Sequence, residues 1–290
     1  VMLLPSVYPE RRGRVLGALD TFGTFGGVAA PAAVVAVLGA ALDWEWLFLG
    51  TAVVGVAFAA AFARLVPRRL ADDGDGAPGS ASDPGASPAD EGADGDPAPD
   101  GGTAGYFTLF ADRRLAAFVA VTVLFSFAYN GVVAFLPLYL TAETALAESG
   151  ANLLYSGLFL VSVVQPLTGA ASDRVGQLPV IAATLALAAV GLVGLVLVDA
   201  AALAVGAVLV LGLGSHGFRP VRGAYLVSVV PDAVAGGTLG LVRTAIMGAG
   251  AVAPAVVGIV ADRAGFAPAF AVLAVALVGS VGVVAALLVR

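Results

Sequence analysis

Residues 178–198 read LPVIAATLALAAVGLVGLVLV, a segment whose single polar side chain is Thr184. At 1.5 Å of rise per residue, a helix of about 20 residues crosses the roughly 30 Å hydrocarbon core of a bilayer. The segment has that length. It also lacks the period of two that a lipid-facing barrel strand requires. Seven other runs share its character, at 15–42, 47–66, 115–140, 153–171, 201–218, 238–260 and 267–289. Of the 290 residues, 60% are hydrophobic and 12% charged, and the mean hydropathy is +0.99. A soluble domain has too little interior to hide so much apolar side chain. The expected fold class is an all-α polytopic membrane protein with about eight transmembrane helices.

The same composition excludes several chemistries. Cys and Lys are absent and His216 is the single histidine. Disulfides, thiolate metal sites, lysine Schiff bases and phosphate-loop lysines are therefore ruled out. No nucleophile–base pair or metal-ligand cluster stands out, so the chain is not expected to be an enzyme, to hold a cofactor or metal, or to bind nucleic acid.

Charge orients the runs. Residues 71–105 carry nine acidic residues and no basic one; the rest holds 14 Arg against 11 Asp and Glu. Rich in Gly, Pro, Ala and Ser, that segment cannot bury enough apolar surface to order itself. Residues 71–111 read as an acidic disordered linker, between a helical block over 1–70 and a six-helix block over 112–290. If the eight runs alternate in direction, Arg11, Arg12, Arg14, Arg64, Arg68, Arg69, Arg113, Arg114, Arg174, Arg219, Arg222 and Arg290 fall on one side and Arg263 on the other, with Arg243 inside a run. Excess arginine marks the cytoplasmic face. The linker and the C-terminus are thus expected in the cytoplasm, with the chain in the cell membrane.

Two segments repeat. LGALDTFGTFGGVAAP (16–31) and LGLVRTAIMGAGAVAP (239–254) align without gaps at an offset of 223 residues, sharing Leu-Gly, Thr21/Thr244, Gly27/Gly250, Ala30/Ala253 and Pro31/Pro254. A parallel repeat of this kind is a transporter trait. Gly23 with Gly27, and Gly236 with Gly240, have the spacing of close helix packing.

With these features the sequence resembles the major facilitator superfamily. Pro9-Glu10-Arg11-Arg12-Gly13-Arg14 looks like that family's loop between its fourth and fifth helices, and Asp43-Trp44-Glu45-Trp46-Leu47-Phe48 like the junction before its sixth. Gly169-Ala-Ala-Ser-Asp173-Arg174-Val-Gly176 is similar to the second G-x-x-x-D-R-x-G loop, although Gln177 stands where a basic residue is usual. Ala261-Asp262-Arg263-Ala264-Gly265 resembles the junction before the twelfth helix. The resemblance implies a two-block helical bundle with helices five to twelve of an expected twelve, hence an N-terminally truncated member. A start that is simply misassigned at Val1 is the alternative.

Ionisable and amide side chains at membrane depth are costly and tend to be functional. Tyr129, Asn130, Gln165, Ser215 and His216 are candidates for the substrate path, with Gly131 and Pro137 expected to permit a local break near Asn130. His216, at the end of its run, either titrates or is solvated or hydrogen-bonded there. Asp20 and Arg243 are candidates for gating or ion coupling, or else for structural ion pairing or snorkelling. The resemblance implies that Asp173 and Arg174, with Gly169 and Gly176, form a loop that locks the two blocks on the cytoplasmic side, near Arg11, Arg12, Gly13 and Arg14.

The implied function is secondary active transport of a small solute by alternating access, coupled to a proton or sodium. Efflux is favoured, because the nameable cavity residues are mostly apolar or aromatic. Against it, the Gly-Pro-x-x-Gly-Gly element of the family's antiporters reads Ala30-Pro31-Ala-Ala-Val34-Val35, without its glycines. The alternative is a truncated, transport-incompetent fragment or a helical subunit that needs a partner.

Overall fold

The computed structural model describes residues 45–65, 112–230 and 235–289, with Thr21, Val37, Ala40 and Asp43. Among them it is helical throughout: α1 (Glu45–Leu65), α2 (Arg113–Glu143), α3 (Glu148–Leu160), a 3-10 turn (Val161–Val164), α4 (Gln165–Val175), α5 (Gln177–Leu197), α6 (Ala201–Val229), α7 (Ala235–Ala264) and α8 (Phe266–Val289). With α3, the 3-10 turn and α4 forming one span, seven helices are long and apolar enough to cross a membrane. They match seven of the eight runs. The first run, with Asp20, Gly23, Gly27 and Pro31, lies outside the described residues apart from Thr21, Val37 and Ala40.

The chain divides into two compact units, residues 1–29 with 101–290, and residues 30–100. The second contains α1, whose side chains from Phe48 to Arg64 are exposed and nearly all apolar. The first holds the bundle. In it α2 packs mainly on α8 and α7, and α6 mainly on α5, with α5 and α8 joining the two groups. Buried Phe118, Phe125, Leu136, Ile181, Leu192, Phe218, Phe270 and Leu273 form its core.

Local chemistry sets the ends of these helices. Asp112 caps α2 by accepting a hydrogen bond from the Arg114 amide at 2.8 Å, satisfying one of the first-turn N–H groups left without a helical partner. The far end of α2 satisfies orphans on its neighbours. Tyr139 Oη donates to the Leu195 carbonyl in the last turn of α5 at 3.0 Å. Glu143 Oε1 accepts from the Ala267 amide in the first turn of α8 at 3.3 Å, where the helix dipole also favours an anion. Asp173-Arg174-Val175-Gly176 and Asp262-Arg263-Ala264-Gly265 both end their helix on a glycine of positive φ, +94° and +92°. Only glycine adopts that conformation without cost. Chain direction puts these two turns at opposite ends of the bundle.

Three expectations are corrected. The helix through Tyr129–Gly131 is unbroken: α2 runs on through Pro137 to Glu143. The break lies instead at Val161–Val164, just before Pro166. Proline has no N–H for the Ser162 carbonyl four residues back; that carbonyl accepts instead from the Gln165 amide and, at 3.3 Å, from Thr21 Oγ1. Second, the run ending at 218 continues as helix to Val229, through Arg219, Pro220 and Arg222. Third, Gly240 packs against nothing among the described residues, since a Cβ there would meet none of their atoms within 4 Å. Close packing is carried by other glycines: a Cβ on Gly191 would strike the Leu211 backbone, and one on Gly214 the Ala188 backbone.

Candidate functional site

On the face of α6 turned away from α5, large rings take over from glycine. Phe118 meets Tyr225 at 4.3 Å between centroids, Phe125 meets Phe218 at 4.5 Å, and Tyr129 meets His216 edge-on at 5.9 Å. Rings in this ladder hold the α2 and α6 backbones apart. A cleft of about 390 Å³ opens beside them, bounded by α2, α6 and α7. Phe125, Ser126, Tyr129 and Asn130 come from α2, Arg219 and Arg222 from α6, and Ile246, Met247, Gly250 and Ala251 from α7.

Tyr129 and Asn130 fall at the centre of α2's 31 residues. Arg219 is ten residues from the end of α6, about 15 Å along the axis. The cleft therefore lies beside the middle of α2 and the C-terminal half of α6. Its floor is a polar relay. Asn130 Nδ2 donates to the Ser126 carbonyl at 2.8 Å and to Ser126 Oγ at 3.2 Å. Ser126 Oγ donates in turn to the Ile246 carbonyl of α7 at 2.8 Å. Gly250 leaves room for this arrangement: a Cβ there would lie 2.7 Å from Asn130 Nδ2. Tyr129 stacks on Phe125 at 5.7 Å. Its hydroxyl is buried and has no partner in good hydrogen-bond geometry among the described residues, although the Arg219 guanidinium lies close enough to act on its oxygen both as a charge and as a hydrogen-bond donor. Arg222 lies over the Phe218 ring, 5.8 Å from its centroid, a cation–π arrangement.

Of the residues singled out in the sequence, Tyr129 and Asn130 line this cleft. Ser215 and His216 are buried beside it in α6. His216 lies between Tyr129 and Phe159, each 5.9 Å away. Its ring nitrogens have no hydrogen-bond partner among the described residues; the Leu158 carbonyl is close but outside good geometry. A solvated histidine at a helix end is thus excluded. Gln165 is buried at the start of α4. Asp173 and Arg174 are exposed at the end of α4, Gly169 is buried within it, and Arg243 is exposed on α7. The structure does not bring Asp173, Arg174 or Arg243 to the cleft. Asp20, Arg11, Arg12, Gly13 and Arg14 lie outside the described residues.

Sequence reading missed Arg219 and Arg222 as cleft residues, because it took the first charge as the end of the span. The signal that could have found them is the apolar segment Gly223-Ala-Tyr-Leu-Val-Ser-Val-Val230, which resumes directly afterwards.

The family model of the Major Facilitator Superfamily matches residues 1–161 and 118–290. No curated protein matches the chain closely enough to count as a relative. The two matches together span the whole sequence, and the chain belongs to the Major Facilitator Superfamily. It is an integral membrane protein of a family that transports small solutes across membranes.

Proposed function

We propose that this chain carries a small solute through the α2–α6–α7 cleft by alternating access, driven by a coupled proton or sodium and favouring efflux. The observation that supports this most directly is the cleft itself, a polar-lined space of about 390 Å³ at the middle of α2. Transporter sites lie at this depth, where rocking blocks can open them to either side. In this reading the blocks are residues 1–70 and 112–290, tethered by the acidic segment 71–111. Tyr129, Asn130, Gln165, Ser215 and His216 serve the substrate path. Asp20, Asp173, Arg174 and Arg243 serve gating or coupling, with Gly169, Gly176 and the Arg11–Arg14 loop shaping the cytoplasmic contact. The one-sided arginines support a cytoplasmic linker and C-terminus in the cell membrane.

The absence of cysteine makes a direct test available. Met247→Cys places a single thiol in the cleft. In proteoliposomes, a membrane-impermeant maleimide applied from each side in turn should label it, at rates that change when a proton or sodium gradient is imposed. Labelling from one side alone, indifferent to either gradient, would count against alternating access. Asp173→Asn should slow the exchange between the two labelling patterns while membrane insertion stays intact. The exposed apolar surface of α1 favours a second reading, a helical subunit that transports only with a partner. Its mark would be flux in cells but none from the purified chain.

A further inference from the structure

We propose that the cleft binds organic anions, with Arg219 and the Tyr129 hydroxyl as the paired donors that hold the anionic group. This deepens the transport reading above and rests on it for the step from binding to movement. The argument begins with what the cleft lacks. None of the described residues that line it is acidic, and two are arginines. Arg219 is half-buried and makes no ion pair among the described residues. A guanidinium cannot discharge itself by losing a proton. At membrane depth, an uncompensated one is held at considerable cost unless an anion or water answers it.

Hydrogen-bond accounting points the same way. The Ser126 hydroxyl is spent on the Ile246 carbonyl and the Asn130 amide nitrogen on Ser126. These groups fix the floor of the cleft and have no donor to spare. The Tyr129 hydroxyl is different: it is buried, its own proton has no acceptor among the described residues, and its oxygen faces the Arg219 guanidinium as a hydrogen-bond acceptor. The Arg219 guanidinium and the Tyr129 hydroxyl proton therefore converge on a place whose described side-chain acceptor, Asn130 Oδ1, is neutral and cannot balance the guanidinium charge. A carboxylate presents two acceptor oxygens and matches the planar guanidinium fork. The remaining walls, Phe125, Ile246, Met247 and Ala251, are apolar, so they suit a ligand with an aromatic or alkyl body. The volume of about 390 Å³ lies within the range of ligand pockets. The class indicated is an amphipathic monocarboxylate rather than a cation, a neutral lipophile or a sugar.

The test compares matched ligands on the whole purified chain in lipid nanodiscs, reading the shift of its melting temperature. Benzoate, 1-naphthoate and octanoate are each paired with the alcohol and the amine of the same skeleton. The carboxylates should stabilise the chain; the alcohols and amines should not. Arg219→Gln should weaken carboxylate affinity roughly 10- to 100-fold, the loss expected for a charged hydrogen bond, and Arg219→Lys should restore part of it. Tyr129→Phe guards against a folding artefact. It keeps the ring and removes a hydroxyl whose neighbour is the Arg219 guanidinium, so the ligand-free melting temperature should change little while carboxylate affinity falls about fivefold. No binding by any carboxylate, equal binding by the amines, or wild-type affinity in Arg219→Gln or Tyr129→Phe overturns the assignment. Flux of labelled benzoate into proteoliposomes separates this proposal from its premise. Arg219-dependent binding without flux leaves the anion site standing and defeats the transport reading. Flux without preference for anions does the reverse.

Discussion

Helix α6 is held by two seams made in opposite ways. Toward α5 it offers Gly214, and α5 answers with Gly191, so each backbone rests on the other. Gly217 continues that face, with room for a Cβ only at 3.0 Å from Thr168 and Thr184 methyl carbons. Toward α2 it offers His216, Phe218 and Tyr225, whose rings stand against Tyr129, Phe125 and Phe118. Close backbone approach in lipid maximises van der Waals contact, the main force between helices there. Rings give good contact where they touch and gaps where they do not. The comparison teaches how one helix can be both anchored and open. The glycine seam fixes the position of α6, and the aromatic seam leaves the cleft beside Arg219.

The largest expected effect comes from filling the glycine seam. In Gly214→Leu the new side chain meets the Ala188 nitrogen and the Thr184 carbonyl, backbone atoms that cannot rotate away. Overpacking costs about 1–3 kcal/mol even where the neighbours can adjust. Here the two helices must separate, and purified protein should fail to give a single cooperative melt. A well-behaved Gly214→Leu protein would mean that the seam is looser than its geometry indicates.

A smaller effect is expected on the open side. In Gly250→Val the new atoms meet Asn130 Nδ2 at 2.7 Å, the far end of a side chain that can swing. The protein should fold with nearly the wild-type melting temperature, while ligand affinity at the cleft changes by about tenfold as the Asn130–Ser126 relay breaks. Equal damage from Gly214→Leu and Gly250→Val would erase the distinction between the seams. Ser126→Ala comes next. It removes one hydrogen bond between helices, worth about 0.6 kcal/mol on average in a membrane protein, and should lower the melting temperature by only a few degrees.

What the sequence conveyed, and what it withheld, follows from the same physics. The seven described spans and their order were readable because bilayer thickness imposes a length on every apolar run, as at 178–198. The end of α6 was not, because an arginine looks identical whether it terminates a span or lines a cavity within one. The two prolines make the point again. Pro137 and Pro166 both lack an N–H, yet α2 continues through the first and the span breaks before the second. At Pro166 the freed Ser162 carbonyl finds Thr21 Oγ1, which lies 141 positions away in the sequence. No local pattern carries that information. The cleft residues Tyr129 and Asn130 stood out as amide and phenol within an apolar run. Their neighbour Arg219 needed the tertiary structure.

The smallest predicted effect is also the sharpest test of what a glycine is for. Gly240 shares the small-residue spacing that suggested close packing, yet a Cβ there meets nothing among the described residues within 4 Å. Its carbonyl accepts from Thr244 Oγ1 at 3.0 Å, a bond that does not depend on the residue lacking a side chain. Gly240→Ala should therefore act through helix propensity alone, where alanine is better than glycine by up to about 1 kcal/mol in a helix interior. The melting temperature should hold or rise slightly. The same substitution at Gly214 should lower it sharply, because there even one methyl group has a backbone in its way. A fall at Gly240 comparable to that at Gly214 would mean that α7 carries a third close seam at this level, and that both repeats use their glycines for packing.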